Sequence, residues 1–249
     1  MVRIGRVHYL NTLPLFYLWE ARGVSFVEGH PSELVNLLRK GQLEAGIVSS
    51  LEYLKHPENY RLVRGLSISS TERACSVLIF STKPLGEVNS VYLTPASLSS
   101  RALAIYLIRR VYKREPEWLE DRERAEALML IGDEALQERL KGEWQYVYDL
   151  GEEWFRLYGL PFVFALFLVR KDAPKGLEFF IEEQCKKSKT SFFKDLKEGR
   201  LKVEKYGLFL KEYFTSCLDY NLDERGEESL RIFNGILISE GLLSNLGGE

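Results

Sequence analysis

Neutral amide and hydroxyl side chains, rather than charged ones, stand where this sequence could act on a ligand. Asn11 follows the predicted strand Val2–Val7 and comes directly before a helical pattern, and Ser76 begins the apolar run SVLIFS. Amides and hydroxyls can hydrogen-bond a carboxylate or a leaving hydroxyl group without the cost of burying a charge. We predict that Asn11 and Ser76 position the reacting part of a substrate. The alternative for Asn11 is that it only caps the following helix.

Other polar residues occupy similar places, at or near the end of a predicted strand and the start of the next helix. Such strand ends are where ligands bind in open α/β sheets, so these residues are candidates for binding a substrate. Free backbone N–H groups at a helix start favour an anion, so Ser97, Ser99 and Ser100 are predicted to bind a carboxylate, and Asp133 could be an acid of the site. For the serines at 97–100 and for Asp133, capping of the helix is the alternative explanation. The candidate binding residues are Tyr9, Ser49, Ser50, Ser69, Ser97, Ser99, Ser100 and Asp133.

A general base, a metal and an organic cofactor have weaker signals in the sequence. His8 is the candidate base by residue type, with a structural role as the alternative. The sequence lacks the Cys and His spacing of a metal site, the GxGxxG and phosphate-loop motifs, and the GxSxG nucleophile motif. We therefore expect neither a metal nor an organic cofactor.

Composition and charge indicate a globular protein without a polyanionic partner. The 249 residues are 45% hydrophobic, and 34 basic residues against 36 acidic ones give a net charge of -2. This balance predicts no nucleic-acid or anionic-membrane partner. Three widely spaced cysteines suggest reduced thiols, and no leader or membrane-length apolar stretch is visible. We expect a cytoplasmic location.

Predicted strands and helices alternate to about Lys171, and helices follow, one of them with Tyr206, Tyr213 and Phe214 at helical spacing. Breaks occur at Thr82–Glu87 and around Pro161. We predict an α/β protein of two lobes, residues 1–82 with 168–249 and residues 83–167, joined by two crossing segments. A ligand is expected in the cleft between the lobes, as in two-lobed solute-binding folds.

An ordered series of short motifs extends from Tyr9 to Ala165. The series is YLNTLPL, GQLEAGIVSSLEYL, SVLIFS, SLSS, IGDEAL and DLGEEWFRLYGLPFVFA. It resembles the chorismate dehydratase family of the futalosine branch of menaquinone biosynthesis, although Leu98 stands where that family has an arginine. The resemblance implies a type II periplasmic-binding-protein-like fold used as a cytoplasmic lyase. The implied substrate is the dicarboxylate chorismate, and the implied product is 3-[(1-carboxyvinyl)oxy]benzoate, formed by loss of water.

The reaction implied by the resemblance makes modest demands on the protein. Loss of water from chorismate yields an aromatic ring, so the protein need mainly hold two carboxylates and assist departure of a hydroxyl group. A substrate carboxylate could take the proton, which leaves the base and the role of His8 open. Two alternatives remain: an enzyme like 1,4-dihydroxy-6-naphthoate synthase of the same pathway, and a non-catalytic solute-binding or sensory protein for an aromatic carboxylate.

Overall fold

A computed structural model describes residues 1–19, 22–201 and 209–245. It divides the chain into two compact units, Met1–Ser69 with Val163–Asp223, and Ser70–Phe162 with the segment from Glu224 onward. Tyr206 lies outside the described residues. No helix in the described ranges combines the length and the apolar character that crossing a bilayer requires.

The strands of the described chain are β1 (Val2–Val7), β2 (Val24–Gly29), β3 (Ala45–Ser49), β4 (Tyr60–Ser70), β5 (Val77–Ser81), β6 (Ser90–Leu93), β7 (Glu117–Leu119), β8 (Ala127–Ile131), β9 (Tyr146–Asp149), β10 (Val163–Arg170) and β11 (Leu218–Asp219). The α-helices are α1 (Leu13–Phe16), α2 (Pro31–Arg39), α3 (Ser50–Lys55), α4 (Leu98–Tyr106), α5 (Gly132–Lys141), α6 (Leu150–Tyr158), α7 (Leu177–Lys197), α8 (Phe209–Glu212), α9 (Glu224–Ser239) and α10 (Leu242–Asn245).

The first unit is built on a mixed sheet with the strand order β11-β4-β10-β3-β1-β2. β1 runs parallel to both β2 and β3, whereas β10 runs antiparallel to β3 and β4. Every residue of β3 is buried, and so are most residues of β10. A strand buried on both faces must be apolar throughout, which explains the runs AGIV and VFALFLV.

The second unit contains a sheet with the order β7-β6-β8-β5-β9. β5 is antiparallel to both of its neighbours, and β6 is parallel to β7 and β8. One face of this sheet carries a buried cluster that includes Leu78, Phe80 and Leu130. From the sequence, β5 is predicted to belong to the first lobe, which extends to residue 82. The structure differs, because both edges of β5 are hydrogen-bonded to strands of the second sheet.

Helix α9 also belongs to the second unit, whereas the sequence predicts residues 168–249 in the first lobe. Phe233 of α9 is buried, and its ring centroid lies 4.8 Å from that of Phe162. Trp154 donates a hydrogen bond from its indole Nε1 to Ser229 Oγ over 3.0 Å. The packing of α9 on Phe162 and Trp154 therefore places this helix in the second unit. The chain passes between the units after Ser69, after Phe162 and after Asp223, rather than twice as predicted.

The cysteines differ from the sequence-based expectation of reduced thiols. Cys185 is a free thiol and is buried, so the expectation holds for this residue. Cys75 and Cys217 are each disulfide-bonded, so for these two residues the expectation is wrong.

Candidate active site

Five of the candidate residues lie at one edge of the first sheet. Because β1 and β3 are parallel, the residues that follow them, including Tyr9 and Asn11 after β1 and Ser50 after β3, meet at their carboxyl ends. Ser49 ends β3, and Ser69 pairs with Val163 at the start of the antiparallel β10. The topology of the first unit therefore groups Tyr9, Asn11, Ser49, Ser50 and Ser69, as the strand-end argument predicts.

Asn11 lies in a short 3-10 turn, Leu10–Thr12, between β1 and α1. Thr12 stabilises this turn, since its Oγ1 lies 2.6 Å from the carbonyl oxygen of Val7. Thr12 is also the N-cap residue of α1, so the alternative that Asn11 caps this helix is wrong. Oδ1 of Asn11 is buried and has no hydrogen-bond partner among the described residues. A buried acceptor without a donor is costly, so this atom marks a place where a ligand donor could bind.

Two serine hydroxyls at the same edge have hydrogen-bond partners within the protein: Ser50 joins the start of α3 to β10, and Ser69 contacts a serine of its own strand β4. Ser50 is fully buried and donates to the carbonyl oxygen of Val163 over 2.7 Å. Ser69 is also buried, and its Oγ lies 2.9 Å from Oγ of Ser67. The Ser50 proton is thus used inside the protein, and only an acceptor position of that hydroxyl remains for a ligand.

Tyr9 and His8 form a small aromatic group with His30, which follows β2. The hydroxyl of Tyr9 lies 3.0 Å from Nδ1 of His30, and the rings of His8 and His30 have centroids 5.1 Å apart. His8 and His30 are both exposed. The sequence analysis missed His30, although a histidine directly after β2, a strand parallel to β1, could have indicated that it joins the same edge.

The other five candidates lie in the second unit. Ser76 directly precedes β5, whose first residue Val77 pairs with Ile131 at the end of β8. Asp133 follows β8 closely, and the serines at 97, 99 and 100 follow β6, which is parallel to β8. The sequence analysis placed Asn11 and Ser76 at the strand ends of one lobe. That placement is wrong, because Ser76 leads into a strand of the second sheet.

The three serines form a hydrogen-bonded cluster at the start of α4. Ser97 is the N-cap residue, and its Oγ accepts from the backbone N–H of Ser100 over 3.4 Å. The same atom lies 3.3 Å from Oγ of Ser99 and 3.0 Å from Oγ of Ser100. All three serines are buried. The capping alternative is therefore confirmed for Ser97, and contact with a ligand anion stays a prediction for the cluster.

Asp133 occupies the first turn of α5. The N-cap residue of this helix is Ile131, so the alternative that Asp133 is the cap is wrong. Gly132 has a φ of 59° at this point, a conformation that glycine adopts without strain. The carboxylate of Asp133 still lies in the turn where a negative charge interacts favourably with the helix dipole.

Asp149 joins several backbone segments of the second unit through hydrogen bonds, and it is not among the candidates predicted from the sequence. Its carboxylate accepts from the backbone N–H groups of Ala74 at 2.8 Å and Cys75 at 2.6 Å, and caps α6 through Gly151 at 2.9 Å. Burial raises the pKa of Asp149, while the backbone donors act in the opposite direction. Asp149 thereby holds the segment that leads into Ser76. The aspartate of the DLG motif at a strand end was the available signal.

The described residues contain no cluster of metal ligands. Within the described ranges, no group of three or more His, Cys, Asp or Glu side chains is arranged to hold a metal ion.

The profile of a family described as menaquinone biosynthesis matches residues 2–237 of the chain.

One curated relative is similar to nearly the whole chain, and a second is similar to about two thirds of it. A chorismate dehydratase of Thermus thermophilus is 27% identical over 253 residues, which cover 92% of this chain and 93% of the relative. A chorismate dehydratase of Campylobacter jejuni is 32% identical over 172 residues, or 66% of this chain and 65% of the relative.

Solved structures identify the fold. Protein AF1704 of Archaeoglobus fulgidus matches with a TM-score of 0.76 at 16% identity, over 97% of this chain and 98% of that protein. The periplasmic aliphatic sulphonate binding protein SsuA of Escherichia coli matches with a TM-score of 0.63 at 12% identity, over 97% and 93%. The prediction of a periplasmic-binding-protein-like α/β fold is therefore confirmed.

Proposed function

The chain belongs to the menaquinone-biosynthesis family, and from this premise we propose that it dehydrates chorismate to 3-[(1-carboxyvinyl)oxy]benzoate. This reaction would make it a carbon–oxygen lyase at the first step of the futalosine-dependent pathway. The observation that carries the proposal is the similarity to a chorismate dehydratase over 92% of the chain. The motif series from Tyr9 to Ala165 lies within residues 2–237, which the family profile matches.

The reaction balances without a redox partner. A C–H bond breaks at the ring carbon that bears the ether, its electron pair forms a ring double bond, and the neighbouring C–O bond breaks. The hydroxide that leaves combines with a proton to give water. Because the ring becomes aromatic, the substrate supplies much of the driving force, and the protein contributes by binding and orienting it. A carboxylate of the substrate is the base in this proposal.

Asn11 has a specific part in the proposed reaction. Its buried Oδ1 can only accept a hydrogen bond, so its partner must be a donor. Chorismate at neutral pH is a dianion whose hydroxyl group is its only hydrogen-bond donor. We assign Asn11 to this hydroxyl, which is the leaving group, and Ser76 to the reacting part of the substrate as a second polar contact. We assign a substrate carboxylate to Ser97, Ser99 and Ser100. The other proposed substrate-binding residues are Tyr9, Ser49, Ser50, Ser69 and Asp133.

The two alternatives have less support. The curated relatives described above are chorismate dehydratases, and no observation favours the 1,4-dihydroxy-6-naphthoate synthase alternative. A solute-binding protein would share the fold, since fold alone does not determine function. The cytoplasmic location and the absence of nucleic-acid and membrane partners stay predictions.

Incubation of the purified protein with chorismate tests the proposal directly. We expect chromatography with mass detection to show a product lighter than chorismate by one water molecule, at a rate proportional to protein concentration. A heat-inactivated sample controls for spontaneous breakdown of chorismate. Binding of chorismate in calorimetry without any turnover would contradict the proposal and support the solute-binding alternative.

A further inference from the structure

A cavity of about 490 Å³ lies in the second unit and is lined by residues of α4, β6 and β7. Leu93 of β6, Arg101 and Ile105 of α4, and Trp118 of β7 are among the residues that line it. The serines at 97, 99 and 100 do not line the cavity, although they belong to the start of the same helix. Its volume is within the range of pockets that bind small molecules.

Arg101 is the cationic residue that lines this cavity, and its guanidinium has few hydrogen-bond partners among the described residues. Nη1 donates to the carbonyl oxygen of Leu93 over 3.1 Å. None of the ion pairs among the described residues includes Arg101, whereas Arg109, Arg122 and Arg156 of the same unit each pair with a glutamate. Burial lowers the pKa of Arg101, with the Tyr92 phenol acting in the opposite direction, and an arginine nevertheless stays charged. A partly buried cation with spare donors favours an anion.

The remaining walls of the cavity are mainly apolar or aromatic. Ile105 lies one helical turn after Arg101, so both side chains are on the same face of α4. Trp118 is half-buried, and the guanidinium carbon of Arg109 lies 5.6 Å from the centroid of its ring. This cation–π contact helps to hold the indole in place. An apolar ligand body would bury surface against these walls.

Glu120 limits the charge of the ligand. It is an exposed carboxylate that also lines the cavity. One guanidinium can neutralise one negative charge, and Glu120 would repel a second charge on the ligand. The cavity therefore suits a singly charged organic acid better than a dianion such as chorismate.

We propose that this cavity is a second ligand site, for a small aromatic monocarboxylate whose carboxylate pairs with Arg101 and whose ring packs against Trp118 and Ile105. None of the candidate active-site residues lines the cavity, and the proposal does not rest on the dehydratase reaction. Sodium benzoate is the appropriate probe. Benzamide, which is neutral, and isophthalate, which has two charges, are probes of similar shape that test the charge requirement.

The test follows the indole N–H resonance of Trp118 by NMR during titration with benzoate at constant ionic strength. The Trp118→Phe variant identifies that resonance. We expect a saturable shift in the wild-type protein and affinity lower by about tenfold or more in Arg101→Gln, because a charge-assisted contact is lost. Arg122→Gln is the matched control, since Arg122 is exposed, pairs with Glu134 and does not line the cavity. This control should bind benzoate like the wild type.

Glu120→Gln provides a second test that does not depend on the folding of the Arg101 variant. Removing the exposed charge should tighten benzoate binding roughly two- to fivefold and bring isophthalate closer to benzoate in affinity. Benzamide should bind more weakly than benzoate to every variant that keeps Arg101. Equal benzoate affinity in the wild type and Arg101→Gln, equal affinity for benzamide and benzoate, or an unmoved Trp118 resonance would each overturn the proposal.

Discussion

The amide oxygen of Asn11 gives the clearest residue-scale test of the proposed chemistry. We expect Asn11→Ala to lower kcat with chorismate by roughly 10²-fold or more, because the contact that orients the hydroxyl group for departure is lost. Thermal stability should change little, because Oδ1 has no partner among the described residues. Asn36→Ala, at an exposed position of α2, is the control and should keep full turnover. Near-normal kcat in a folded Asn11→Ala protein would remove Asn11 from the reaction.

Residue-scale interactions were predictable from the sequence where both partners are close along the chain. The cap of Ser97 on Ser100 spans three residues and follows a known local pattern. Asp149 was missed because two of its donors, Ala74 and Cys75, are 75 and 74 residues away. The DLG motif indicates only the local cap of Asp149 on Gly151, whereas its contacts with Ala74 and Cys75 depend on the folded sheet.

At the scale of elements, the segment between β4 and β5 depends on close contact with the start of α6. A Cβ atom at Gly151 would lie 2.7 Å from the backbone nitrogen of Ala74 and 2.8 Å from Cβ of Ser70. The backbone cannot yield easily there, so we expect Gly151→Ala to lower the free energy of unfolding by about 1–3 kcal/mol. Chemical denaturation of the purified variant measures this change. Activity should also fall, because the displaced segment leads directly into Ser76.

Gly235→Ala is the matched control for this prediction. Gly235 lies in α9 of the same unit, and apart from the adjacent backbone of its own helix no heavy atom of the described residues is within 4 Å of the position that its Cβ would occupy. Alanine in an open helical position should raise the free energy of unfolding by about 0.5–1 kcal/mol. If both glycine variants show the same change, the contact between Gly151 and the 70–74 segment does not constrain the fold.

At the scale of the whole molecule, the sequence predicts the two-unit α/β organisation but not the places where the chain changes unit. The prediction relied on Pro and Gly breaks at Thr82–Glu87 and around Pro161. In the structure the first change occurs after Ser69, within β4, where no break in composition exists. The second occurs after Phe162, directly before β10, and close to the predicted break. Long-range strand pairing, rather than turn composition, determines these boundaries.

The assignment of α9 to the second unit can be tested by a double-mutant cycle on two of its buried aromatic residues. Phe162 and Phe233 are about 1% exposed, and their rings meet edge to face at 4.8 Å. Phe162→Leu and Phe233→Leu should each lower the free energy of unfolding by about 1 kcal/mol or more. Because the rings are in contact, we expect the two effects to deviate from additivity by about 0.5–1.5 kcal/mol in urea denaturation.

A control cycle uses Ile238, which is 62% exposed on the same helix. Ile238→Ala combined with Phe162→Leu should be additive within about 0.5 kcal/mol, since an exposed side chain has little packing to lose. Additivity in both cycles would mean that Phe233 does not pack on Phe162. Helix α9 would then be reassigned to the first unit, as the continuous run of predicted helices after residue 171 suggests. Because α9 packs on Phe162 and Trp154 through Phe233, we expect coupling in the Phe162–Phe233 cycle and additivity in the control cycle.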